Sequence, residues 1–151
     1  ERWVPLALMV FGAGMVVGNM VGGRLADTSV VRSLYASMIV LAVALAVFVL
    51  AAHHPVSALP TLFLIGASGA AIGPALQTRL MDVAADALAL AAALNHSALN
   101  IANATGAWVG GLVIAAGLGY TAPAAAGSAL AIAGLIILTI SIVWQRKEAL
   151  T

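Results

Sequence analysis

The chain contains no cysteine, and only 7% of its residues are charged. The absence of thiols excludes disulfides, thiolate metal sites and thiol nucleophiles together. Six basic and five acidic side chains leave a net charge of +1, which provides neither a basic patch for nucleic acid nor an acidic tail. No metal site and no cofactor are expected. What the chain has in excess is apolar surface: 64% of residues are hydrophobic and the mean hydropathy is +1.14. A soluble domain has no means of hiding so much of it. The expected class is therefore an all-α, polytopic transmembrane helical bundle with the lipid bilayer as its solvent.

Glu1-Arg2-Trp3-Val4-Pro5 lacks the charged region and cleavage site of a signal peptide. The start reads as a cut inside a longer protein, and 1–151 as a single transmembrane fragment. Apolar runs of about 20 residues are long enough to cross a bilayer, and five are expected, at about 4–22, 34–52, 59–77, 94–116 and 122–144. Arg24, Asp27, Thr28, Ser29 and Arg32 end the first run, and His53-His54-Pro55 ends the second. Gln77-Thr78-Arg79 closes the third, where Gly73-Pro74 is expected to kink the last turns. Asp82 and Asp86 follow, and Gly117-Leu118-Gly119 makes the last turn before a span that ends at Trp144. An odd number of spans points to a missing helix.

Cytoplasmic loops carry the excess of Lys and Arg. With five spans, Arg24, Arg32, Arg79, Arg146 and Lys147 fall on one side and Arg2 on the other. The expected N-terminus is periplasmic and the C-terminus cytoplasmic, in a bacterial inner membrane.

Small residues let helix backbones approach in lipid, where no hydrophobic drive operates between helices. Gly14, Gly18 and Gly22 recur every four residues, and Gly106 and Gly110 continue the same spacing from Ala102. These are candidate helix-packing faces, or surfaces along which two bundles rock. The second and fifth runs are almost wholly aliphatic and are expected to face lipid.

Polar groups collect instead in the fourth run: Asn95, His96, Ser97, Asn100 and Asn103. His96, Asn100 and Asn103 are spaced four and three apart and so share a helix face. Such groups cost several kcal/mol when unpaired in hydrocarbon, so they should face the bundle interior or a wet cavity. Two readings stand: His96 lies at the cytoplasmic interface with the asparagines bonded to neighbouring helices, or the face lines a translocation pathway. No Asp or Glu lies inside any span, which leaves His96 as the one deep titratable group.

Gly23-Arg24-Leu25-Ala26-Asp27, followed by Arg32, resembles the loop signature of the major facilitator superfamily in its weaker second copy. Thr28 and Val31 stand where that pattern has basic residues. Gln77-Thr78-Arg79-Leu80-Met81-Asp82, Leu94 to Ile101 and Gly106-Ala107-Trp108-Val109-Gly110-Gly111 are similar to the arabinose-efflux-permease-like members of its drug:proton antiporter branch. The resemblance covers essentially the whole chain and implies most of the C-terminal six-helix half, spans eight to twelve, of a twelve-span transporter.

It further implies proton-coupled efflux of a small sugar or drug-like solute by alternating access against the N-terminal half. Spans eight and eleven would line the interface between halves, with Asn19, His96, Asn100 and Asn103 as pathway candidates. Gly23, Asp27 and Arg32 would form a cytoplasmic gating motif, Asp27 bracing it against a helix terminus. Inverted repeats occur within each half of this superfamily, and Gly18-Asn19-Met20-Val21-Gly22-Gly23 with Gly106-Ala107-Trp108-Val109-Gly110-Gly111 is a trace of one.

Two other classes share features with the sequence. Gly66-Ala67-Ser68-Gly69 and His96-Ser97-Ala98-Leu99-Asn100 resemble two elements of rhomboid intramembrane proteases, but in reversed order and without the Ala-His-x-x-Gly base motif. A non-transporting packing module is the other, and upstream sequence would discriminate it.

Overall fold

The computed structural model describes residues 3–84 and 87–148. Glu1, Arg2 and Asp86, which entered the charge reading, lie outside the described residues. Five helices follow one another: α1 Val4–Thr28, α2 Val30–Ala51, α3 Pro55–Ala84, α4 Leu88–Ala115 and α5 Ala122–Glu148. All five are long and apolar enough to cross a membrane, and the described residues contain no strand. The chain is an all-α polytopic bundle.

The helices run past the expected spans at most ends, because polar residues that leave the hydrocarbon can still continue a helix. Arg32, expected in a loop, stands in the first turn of α2, where its backbone amide donates to the Ser29 hydroxyl. Ser29 is the single extended residue between α1 and α2 (φ −167°, ψ 105°), and a serine at that position satisfies a helix-start donor. Thr28 closes α1 by donating to the Leu25 carbonyl at 2.8 Å. At the other end of α2, Ser57 donates to the carbonyls of Ala51 and His54. Pro55 opens α3, where a missing amide costs nothing. Pro60 and Pro74 then lie inside a helix that continues to Ala84. The α4–α5 turn is made by Gly117 and Gly119 at φ +77° and +87°, values that L side chains disfavour.

Packing is uneven. Gly14, Gly18 and Gly22 of α1 are buried directly on the backbone of α3, and a Cβ at Gly18 would collide with the Ala67 carbonyl. One at Gly22 would lie 2.6 Å from the Ala71 Cα. Gly14 meets Phe63 and Ala67, Gly18 meets Ala67 and Gly22 meets Ala71, so the two helices run parallel. From α3 the order continues to α2 and then to α5, and Ala26, Leu34 and Ala75 with Leu138 close a small core among all four.

The expectation that α2 and α5 are merely lipid-facing fails for α2. It is the most buried of the five spans, lying between α3 and α5. Ser128 of α5 donates to the Ala42 carbonyl at 2.9 Å, and Tyr35 of α2 donates to Thr139 at 2.9 Å. Gly127 and Gly134 of α5 receive Leu45 and Met38. The register 45 with 127, 42 with 128, 38 with 134 and 35 with 139 makes this an antiparallel pair.

Candidate functional site

Polar residues reach the membrane interior chiefly through α4, and their setting follows from how that helix is held. Near its start, Leu90, Ala91 and Leu94 share a cavity of about 210 Å³ with Leu80, Val83 and Ala84 of α3. Near its end, Gly110 comes within 3.8 Å of Pro123, counted from the position its Cβ would take. Between these anchorages every residue from His96 to Trp108 is exposed. Of the α4 polar groups only Asn95 turns inward, 6% exposed.

The neighbouring polar side chains are satisfied within their own helix. Ser97 donates to Ala93 and Thr105 to Ile101, bonds that spare a hydroxyl any need of a partner helix. His96, Asn100 and Asn103 have no such local recourse and stand exposed on α4. They form a face of donors and acceptors that hydrocarbon alone would penalise.

Asn19 is exposed on α1, and α1 and α4 do not touch. The fold therefore puts Asn19 and the α4 face on separate helices that both pack against α3. Gly106 has no described atom within 4 Å of where a Cβ would lie, while Gly14, Gly18 and Gly22 are sealed against α3. Gly23 and Asp27 sit in the last turns of α1, Gly23 half-buried and Asp27 exposed. Arg32 is exposed at the start of α2, and among the described residues neither it nor Asp27 forms an ion pair.

Ser68, the nucleophile of the protease reading, donates to the Leu64 carbonyl at 2.6 Å and approaches that of Ile65. Its surroundings are Val40, Leu64 and Ala71, with no imidazole among them. It has no base to activate it.

Two features escaped the sequence reading. One is the α2–α5 pair of hydrogen bonds, because Thr139 and Ser128 look like isolated polar groups in an aliphatic run. The other is a bond from the Arg79 guanidinium to the Gln145 side-chain oxygen, which ties the end of α3 to that of α5. The only prior signal for it was that both residues end spans on the same side.

No family model matches the chain, and no solved structure matches it significantly. Known proteins do. The inner membrane transport protein YdhP of Escherichia coli K12 is 37% identical over 138 residues, 91% of this chain and 35% of that protein. The MFS-type transporter YfhI of Bacillus subtilis is 34% identical over 142 residues, 94% of this chain and 36% of its own length. A chloramphenicol resistance protein of Streptomyces lividans is 36% identical over 121 residues, covering 80% of this chain and 30% of that protein. The chain thus spans about a third of the length of the relatives it matches. Five apolar helices and relatives of this kind, matched over nearly the whole chain, place it in a single family: the chain belongs to the major facilitator superfamily.

Proposed function

We propose that the chain forms spans eight to twelve, most of the second half, of an inner-membrane transporter that exports a small sugar or drug-like solute by alternating access, driven by a proton gradient. One observation carries this reading. The helix with the lowest hydropathy of the five and the densest polar face has only Ala91 and Asn95 buried within the described residues, so His96, Asn100 and Asn103 belong against a wet pathway or the N-terminal half. Relatives named as transporters support the activity, and the one named for chloramphenicol resistance supports outward movement of a drug-like molecule.

In this reading Asn19 contributes from α1, and Gly23, Asp27 and Arg32 form the cytoplasmic gate. Asp27 lies two residues before the α2 N-cap Ser29, near a helix terminus that favours negative charge. The positive-inside count puts the α1–α2 and α3–α4 connections in the cytoplasm. Because the chain has no cysteine, single cysteines at Thr28 and Ser57 test this directly. An impermeant thiol reagent added outside whole cells should label position 57 and spare position 28; the reverse pattern would invert the topology.

Transport by the full-length protein in vesicles under an imposed proton gradient tests the mechanism. His96→Ala or Asn100→Ala should lower the initial rate about tenfold or more at unchanged expression, equivalent to about 1.4 kcal/mol of transition-state stabilisation. Asp27→Asn should slow turnover without abolishing substrate binding. Wild-type rates in all three variants would remove the α4 face from the pathway and Asp27 from the gate.

A further inference from the structure

A pronounced concavity of the bundle lies away from α4. A cavity of about 240 Å³ opens between α1 and α2, with Leu64, Ala67 and Ala71 of α3 as its floor. A second, of about 220 Å³, continues along α2 past Val43 and Val47 to Thr61. Both are lined by Val40 and Leu64, so they form one groove. It arises because α1 and α2 both lean on α3 while touching each other little, and because the floor and lips carry small side chains.

The groove follows α2 from Ala36 to Val47, about 16 Å at the helical rise of 1.5 Å per residue. One leaflet of the hydrocarbon core is about 15 Å deep. Concavities of this volume are too small to take in another helix of roughly 10 Å diameter and suit a single hydrocarbon chain. The lining is apolar apart from Ser37, Ser68 and, at the far end, Thr61, whose hydroxyl is satisfied within its own helix. Ser68 is satisfied by its own helix, but Ser37, 6% exposed, has no such bond and opens on the groove. One turn earlier, the Ser33 hydroxyl is buried with no partner.

At the same end, Arg24 adjoins the lining residue Leu25, and Arg32 lies one turn before the lining residue Ala36. Both arginines are exposed. Among the described residues Asp27 is the carboxylate nearest in the chain, three residues from Arg24 and so a neighbour on the same helix face; one carboxylate against two arginines leaves a net positive charge at this end.

We propose that this groove is a binding site for an anionic phospholipid from the leaflet on the α1–α2 turn side. One acyl chain lies along Val40, Val43 and Val47, and the phosphate is held by Arg24 and Arg32. Ser37 stands five residues beyond Arg32, about 7.5 Å further along the helix, and its hydroxyl donates to the ester carbonyl that joins chain to glycerol. The site shares Arg32 with the proposed gate but uses neither the α4 face nor Asp27, and lipid labelling reads it apart from transport.

The test is photolabelling of the full-length protein in vesicles containing phosphatidylglycerol with a diazirine on one acyl chain, with phosphatidylcholine of the same chain as control. Labelled peptides are mapped by mass spectrometry. The phosphatidylglycerol probe should label Ala36 to Val47 and Leu64 well above the exposed α5 positions Leu130 and Ile137, and above the control probe. Each of Arg24→Gln and Arg32→Gln should lower groove labelling about fivefold, the factor expected for one basic residue near an anionic surface. Ala36→Phe, on the exposed lip, should lower it with both probes and leave α5 labelling unchanged. Equal labelling of groove and α5, insensitivity to both arginine substitutions, or no labelling of the groove at all would each overturn the proposal.

Discussion

α1 and α4 carry the same small-residue rhythm and meet opposite fates. In α1, Gly14, Gly18 and Gly22 press against the α3 backbone; in α4, a Cβ at Gly106 would meet no described atom within 4 Å and one at Gly110 would meet the edge of Pro123. The two helices share the pattern Gly18-Asn19-Met20-Val21-Gly22-Gly23 and Gly106-Ala107-Trp108-Val109-Gly110-Gly111. A four-residue stripe of small side chains therefore states that a close approach is allowed, and says nothing about which helix makes it. Within this chain α3 is available to α1 along its length, while its meeting with α4 includes Leu80, Val83 and Ala84 near the end of α3. The polar load follows the same division, light on the sealed helix and heavy on the open one.

The sharpest way to break this comparison is to put one bulky side chain on each stripe. Gly18→Leu should force α1 off Ala67 and cost more than the 1–3 kcal/mol of ordinary overpacking, because a backbone carbonyl has nowhere to retreat. Thermal unfolding in detergent should show a large drop or loss of folded protein. Gly106→Leu should change that transition by no more than about 0.5 kcal/mol if only this bundle is concerned. A large effect of Gly106→Leu in the full-length protein would mean that the α4 stripe is also seated, on a helix outside this chain.

Smaller effects separate hydrogen bonds that join helices from those that close within one. Ser128→Ala removes a buried bond to Ala42 and should cost about 0.6 kcal/mol, the average for side-chain bonds between membrane helices. Ser97→Ala, which loses only a bond to its own helix, should be close to neutral. If the two variants unfold alike, the α2–α5 contact is held by packing alone. The smallest effect is expected at the exposed tie between Arg79 and Gln145: Gln145→Ala should lie within about 0.5 kcal/mol of wild type, measured in the same unfolding assay.

Much of the fold was legible because hydropathy is local. Five runs could be counted from the positions of Arg, Asp, His and Pro between them, and each became a helix. Their ends were less legible: Arg32 reads as a loop residue by charge, yet Ser29 alone suffices to break and restart the helix there. The role of α2 was misread for a related reason. Its run of Val, Ala and Leu looks like lipid-facing surface, but Ser33, Ser37 and Ala44 on one face and Ala42 on the opposite one are small enough for it to be packed from both sides, and Tyr35 finds Thr139 across more than a hundred residues of chain. That His96, Asn100 and Asn103 share one face of α4 was readable from their spacing. That Asn19 would lie apart from it was not.

The sequence by itself determined the solvent, the number of spanning helices, the polar character of α4 and the two stripes on which helices can close up, since each depends on side chains within a few turns of one another. Only the tertiary structure decided which stripe is occupied, which aliphatic helix is interior, and that α1 and α2 part to leave a groove over α3. Those outcomes depend on contacts between residues far apart in the chain, where backbone approach is set by the absence of a Cβ on one helix and the shape of the other, and no local pattern encodes the pairing.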